Sequence, residues 1–220
     1  MKLILALHEP DLGPALLGAE LRSALAASGA SRLQVNLDDA DVAPAMRFGP
    51  GTPITAVVSV WTTGDPAAVA GVVRAVDGTA DGWLVEDREP LVPPAVPDGQ
   101  RADALANIAF LRIPDGMVYD AWRSAWQDGH TPVAMETQGT FGYVQNRVLE
   151  PLAGTPAEVA AVVEELFPMA AMSDHHAFYG SGGDEEEFQR RFTRLMESCA
   201  RFGADQGLDL VPTSRYVFDL

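Results

Sequence analysis

The sequence predicts an α+β protein: two ferredoxin-like βαββαβ repeats in one polypeptide, their antiparallel sheets packed face to face as an intrachain α/β barrel. Three observations carry this. The order strand, helix, strand, strand, helix, strand occurs twice along the chain. A stiff proline-rich stretch, Pro93, Pro94 and Pro97, separates the two runs. A unit with helices on one sheet face only must also bury its other face, and a second copy can supply the cover. The boundary divides the chain into an N-terminal repeat, residues 1–98, and a C-terminal repeat, residues 99–220.

In the first repeat, the apolar run Met1 to His8 reads as a strand and ends at Glu9-Pro10. Pro14 opens a helix with Leu17, Leu21 and Leu25 at helical spacing, stopped by Ser28-Gly29. Arg32 to Leu37 alternates as a half-buried strand does, and a Pro/Gly-rich loop follows over residues 44–53. Ile54 to Trp61 is a third strand, Pro66 to about Val76 a helix, and Trp83 to Leu91 the closing strand. The second repeat restarts with a strand over Leu105 to Ile113 and a helix from about Tyr119. Strands over Phe141 to Val148 and Val159 to Phe167, a helix over Asp184 to Phe202 and a strand over Leu208 to Phe218 complete it. The best local echo between the halves is Leu33-Gln34-Val35-Asn36 beside Tyr143-Val144-Gln145-Asn146.

Composition limits the function classes. The chain has 220 residues with 47% apolar and 21% charged, ordinary for a globular protein. No apolar stretch approaches the roughly 20 residues that span a bilayer, and no basic start precedes an apolar signal core. The expectation is a soluble, cytoplasmic protein. Fifteen basic against thirty-one acidic residues give a formal charge of −16, with no basic patch, so nucleic acid and anionic membrane are not expected partners. The lone Cys199 excludes an internal disulfide and a cysteine-rich zinc module.

The segment Trp122-Arg-Ser-Ala-Trp126-Gln-Asp-Gly-His130-Thr-Pro-Val-Ala resembles the EthD family of the dimeric α/β-barrel superfamily. So do Thr140-Phe-Gly-Tyr-Val-Gln-Asn146, Ala171-Met-Ser-Asp-His-His-Ala-Phe-Tyr179, Met196-Glu-Ser-Cys-Ala-Arg-Phe202 and Val211-Pro-Thr-Ser-Arg-Tyr216, which look like segments of tandem actinobacterial members. The resemblance covers most of residues 105–218. It implies a small-molecule protein, and relatives on this fold include cofactor-free monooxygenases, polyketide cyclases and decarboxylases, and haem enzymes. The activity it points to is a cofactor-free, monooxygenase-like oxidoreductase acting on an aromatic or polyketide-like compound. A lyase or cyclase and a non-catalytic protein holding a hydrophobic ligand are the alternatives, and the family also leaves room for a homodimer.

His130 is the first candidate for chemistry. It follows Trp122 and Trp126 at steps of four, which places it near the sheet-facing side of its helix, and Pro132 predicts a break near Thr131. An imidazole there suits a general base near neutral pH, and the resemblance places a family histidine at this position. A buried histidine satisfied by a backbone carbonyl is the structural alternative. His175 and His176 lie between an expected strand and the last helix, where adjacency predicts that at most one faces a pocket. Tyr143 and Tyr179, with Gln138, Gln145 and Asn146, could hold an enolate or phenolate oxygen. Trp122 and Trp126 would contribute apolar substrate contacts.

No cofactor and no metal are expected. There is no HExxH, CxxCH, GxGxxG, Walker lysine or nucleophile elbow, although His130 could serve as a haem ligand on this fold. Phe188, Phe192, Leu195, Cys199 and Phe202 recur at helical spacing, which reads as a core stripe with Cys199 as a small core residue. Asp184 is expected to cap that helix, with Glu187 reaching back to close a capping box.

Overall fold

The computed structural model describes residues 1–220. Eight strands form: β1 (Lys2–Leu7), β2 (Ala30–Leu37), β3 (Ala56–Thr62), β4 (Asp81–Leu91), β5 (Leu105–Arg112), β6 (Gly142–Pro151), β7 (Val159–Phe167) and β8 (Asp209–Asp219). The helices are α1 (Gly13–Leu16), α2 (Ala19–Ala27), α3 (Pro66–Arg74), α4 (Tyr119–Ser124), α5 (Thr131–Thr137), α6 (His175–Tyr179) and α7 (Glu185–Ala200). The helix expected from Pro14 is therefore two pieces, because Gly18 adopts an extended conformation between them.

The strands close an antiparallel ring in the order β1-β3-β2-β8-β5-β7-β6-β4. Each half contributes a four-stranded sheet of the expected βαββαβ order, β4-β1-β3-β2 and β8-β5-β7-β6. The halves also join by backbone pairing, β2 with β8 and β4 with β6. Ring closure leaves neither sheet an open edge, the feature that makes isolated sheets prone to associate.

Strand alternation sends successive side chains to the inside and outside of the ring. Inside lies an apolar plug that includes Ile4, Val57, Trp83, Ile108, Phe110 and Val162. Beside it is a buried polar layer centred on Glu164. Its Oε1 accepts from Gln34 Nε2 at 2.9 Å, Asn36 Nδ2 at 3.1 Å and Arg215 Nε at 3.1 Å. Lys2 Nζ donates to Asn146 Oδ1 at 2.6 Å and lies 4.4 Å from the Trp61 ring centroid. Burial pulls Lys2 down to about 8, against the opposing attraction of Glu164. Asn36 and Asn146, the matching ends of the two sequence echoes, both sit in this layer. Each is paired in register with an interior valine of the next strand, Val57 or Val162.

Outside the ring the halves differ. Under α1, α2 and α3 the first sheet is packed solid by an 18-residue cluster that includes Leu3, Leu33, Val35, Val58 and Val60. Under α4, α5 and α7 the second sheet carries a smaller cluster and leaves a void. The caps follow the sequence in part. Asp184 Oδ1 accepts from Glu187 N at 3.0 Å. The Glu187 carboxylate does not reach back, because Arg190 and Arg191, three and four residues on, both donate to it.

Candidate active site

The helix bearing the tryptophans does not break at Pro132. Residues Ala125–His130 form a π-helical turn that joins α4 to α5. There Thr131 N–H donates to Trp126 O five residues back, and Pro132 falls in the first turn of α5, where its missing N–H is not needed. The wider turn keeps Trp126 and His130 together on the wall of the void.

That void is a cavity of about 570 Å³ between the outer face of the second sheet and the helices, and most of its lining is apolar. Trp126, Phe178, Tyr179, Phe192, Leu195 and Phe202 supply the bulk of the apolar wall. Met46 and Phe48, from the Pro/Gly-rich loop of the first repeat, reach over the mouth. Phe48 is pinned there by two backbone bonds with Leu210, of 3.2 and 2.7 Å. The partner repeat thus covers a site it does not itself contain.

The floor of the cavity is a polar row running across three strands. Glu165 on β7 is the direct cross-strand partner of Asn107 on β5 and of Tyr143 on β6. Direct partners point to one face with their Cβ atoms roughly 5 Å apart. The same place in the first repeat holds Val60 between Leu3 and Leu33, all fully buried in the apolar core. The second copy has therefore exchanged Leu–Val–Leu for Asn–Glu–Tyr and opened space above it.

The electrostatics follow from enclosure. Burial raises Glu165 to about 7, and a hydrogen bond from Gln138 only partly opposes the rise. With the Gln138 amide nitrogen facing strand and helix, it donates to Glu165 Oε1 at 3.0 Å and to Ala134 O at 3.3 Å. No cation neutralises Glu165, so its proton exchanges near neutral pH. Burial, with Glu165 nearby, drives the Tyr143 phenol well above its ordinary value and keeps it protonated; Gln145 Nε2 donates to its oxygen at 3.3 Å. Burial likewise pushes the Cys199 thiol up to about 12, which makes it a weak nucleophile at the cavity wall.

Desolvation lowers His130 to about 4, so its imidazole is neutral at pH 7. Nδ1 lies 3.0 Å from Ser198 Oγ on α7, and the ring sits 4.8 Å from Phe202. Nε2 has no protein partner and is not sealed off, which leaves it open to the cavity. Its neutral form contributes stability above the unfolded value of 6.5, and this is lost as pH falls through about 4. In melts between pH 7 and pH 4, His130→Gln is expected to remove an acid-side slope worth about 3 kcal/mol at most. An unchanged slope in the variant would show that His130 is not desolvated.

Of the residues the sequence singled out, Trp126, His130, Gln138, Tyr143, His175 and Tyr179 border this one cavity. Trp122 is sealed behind Trp126, their rings 5.1 Å apart. Gln145 shares the face of Tyr143 but is fully buried and donates to Thr131 Oγ1. Asn146 does not border this cavity, because alternation sends it into the ring, where it also donates to Val162 O. His176 does not line the cavity, and its Nδ1 is 2.7 Å from Ser181 Oγ. The rings of the two adjacent histidines lie 4.3 Å apart at the start of α6, and His175 is the one on the cavity wall. The helical stripe of α7 lines the cavity more than it fills a core, and Phe192 is 40% exposed.

Sequence reasoning passed over Asn107 and Glu165. The available signal was Glu164-Glu165 within the strand Val159–Phe167, otherwise almost wholly apolar, where alternation must send one carboxylate to each face.

The ring of two fused βαββαβ sheets defines the dimeric α/β-barrel fold, here closed within one chain. No family model matches the sequence, and no curated protein matches it. Among solved structures, an anthrone oxidase-like protein superposes with a TM-score of 0.56 at 11% identity, covering 99% of this chain and 92% of that one. A candidate monooxygenase from Lactobacillus acidophilus NCFM superposes at 0.46 with 10% identity, over 99% and 95% of the two chains. Another from Fusobacterium nucleatum subsp. nucleatum superposes at 0.47 with 7% identity, over 99% and 93%. At 11% identity the likeness to the first of these is one of fold.

Proposed function

We propose that this chain is an oxidoreductase of monooxygenase type that needs no prosthetic group and acts on a hydroxylated polycyclic aromatic of polyketide character, with Glu165 as the base. The observation that carries this reading is the Asn107–Glu165–Tyr143 row beneath an apolar cavity, at positions that are Leu–Val–Leu in the other repeat. The EthD-like motifs of residues 105–218 agree with a small-molecule enzyme. The name of the anthrone oxidase-like neighbour suggests the substrate class.

Glu165 replaces His130 as the proposed base, because a carboxyl near 7 exchanges protons at neutral pH more effectively than an imidazole held near 4. The ionised carboxylate removes a proton from the activated methylene of an anthrone, leaving its charge on the ring oxygen. Tyr143 O–H can donate to that oxygen, and so can His130 Nε2–H when Ser198 donates to Nδ1. The carbanion gives its electrons to dioxygen and forms a C–O bond, and the peroxide takes up the proton held by Glu165. Loss of the second C–H proton and cleavage of O–O yield the ketone and water. In sum CH₂ + O₂ becomes C=O + H₂O.

The test is dioxygen uptake and quinone absorbance with anthrone in air-saturated buffer containing EDTA, read above the uncatalysed background. The expected result is one dioxygen consumed per quinone formed, with chelator present. Tight binding of anthrones and naphthols without turnover would remove the oxidase reading and leave a ligand-binding protein. Ring closure of an open polyketide without dioxygen uptake would move it to a cyclase.

A further inference from the structure

We propose that His175 Nε2, His176 Nε2 and the Glu185 carboxylate form a site for a late first-row divalent metal ion, zinc foremost, at the cavity mouth. Both Nε2 atoms lie 3.9 Å from Glu185 Oε2, and one ligand atom from each of the three residues falls within 4.8 Å of the others. At 3.9 Å neither contact is a hydrogen bond, so the three groups converge without satisfying each other. An ion bound at about 2.0–2.2 Å from each would draw them together by small side-chain rotations.

The neighbouring groups hold the ligands in readiness. His176 Nδ1 is engaged by Ser181 Oγ at 2.7 Å, which leaves Nε2 free to ligate. Gln189 Nε2 donates to Glu185 Oε1 at 2.9 Å, which leaves Oε2 facing the histidines. Outer partners of this kind fix the tautomer and orientation of metal ligands. The Phe188 ring packs against His175 at 4.4 Å and His176 at 5.9 Å. Local backbone brings the three together: Asp174 caps α6 through His176 N–H, and Gly180 in the left-handed region turns the chain toward the start of α7.

Two imidazoles and one carboxylate favour zinc, cobalt, nickel or copper over calcium or magnesium. The site ties α6 to α7, and His175 also borders the cavity, so a bound ion would stiffen its rim. It is separate from the Glu165 chemistry and does not depend on it.

The test uses tag-free full-length protein, ZnCl₂ titration calorimetry and the visible spectrum of the cobalt-loaded protein. Expected are one zinc per chain, a zinc-dependent rise in Tm, and binding at least tenfold weaker in both His175→Ala and His176→Ala. Ser181→Ala, which keeps all three ligands, is expected to bind about tenfold more weakly, while His8→Ala binds as the parent does. Absence of saturable zinc binding overturns the proposal, as does parental affinity in the His175→Ala/His176→Ala double variant. The histidines and Glu185 lie at or near the surface, and a far-ultraviolet circular dichroism spectrum like the parent's checks that each variant is folded.

Discussion

Glu165→Gln is expected to lower kcat/KM for the oxidised substrate by about 10²- to 10⁴-fold, the range for loss of a general base, with KM little changed. The amide preserves the shape of the side chain and can still accept from Gln138. In the parent protein the rate is expected to rise with pH through about 7 as the carboxylate forms. The same substitution should act oppositely on stability. Because burial raises the folded value from 4.5 to about 7, the neutral carboxyl's contribution is present below 4.5 and lost as pH rises through about 7. Glu165→Gln is therefore expected to be more stable than the parent at pH 8, by up to about 3 kcal/mol, and no more stable at pH 4.5. Urea denaturation at the two pH values reads this directly. A variant inactive but less stable at pH 8 would mark Glu165 as structural support, and one with parental turnover would remove it as the base.

Its sequence neighbour should behave in the contrary way. Glu164→Ala is expected to destabilise the protein by about 3–5 kcal/mol, because it leaves buried charge without its partner. Three donors converge on Glu164 Oε1, and Arg215 and Lys2 share the same dry layer. The layer also joins the repeats, since Gln34 and Asn36 come from the first half and Glu164 and Arg215 from the second. A denaturation midpoint close to the parental one would show that the layer is not what locks the ring. The exposed Glu187–Arg190–Arg191 cluster shows the contrast, because solvent screens such pairs and its loss should scarcely register.

Much of the fold was legible from spacing. The order of strands and helices follows from apolar periodicity, prolines and glycines. Trp126 and His130 were legible because steps of four keep residues on one helix face. Pro132 misled, since a proline that ends an α-helix can be absorbed by a π-turn whose hydrogen bonds skip its position. Asn146 misled for a simpler reason: it lies three residues from Tyr143, and an odd step along a strand changes faces.

By itself, the sequence determined that this chain is an α+β protein of two βαββαβ units, because local periodicity is written in neighbouring residues. Only the tertiary structure decided that Glu164 faces the polar layer inside the ring while Glu165 faces a cavity. A strand buried on both sides shows no polar face of its own. The two carboxylates take their roles from what lies beyond each face, here a closed ring of opposing strands and there a void beneath the helices.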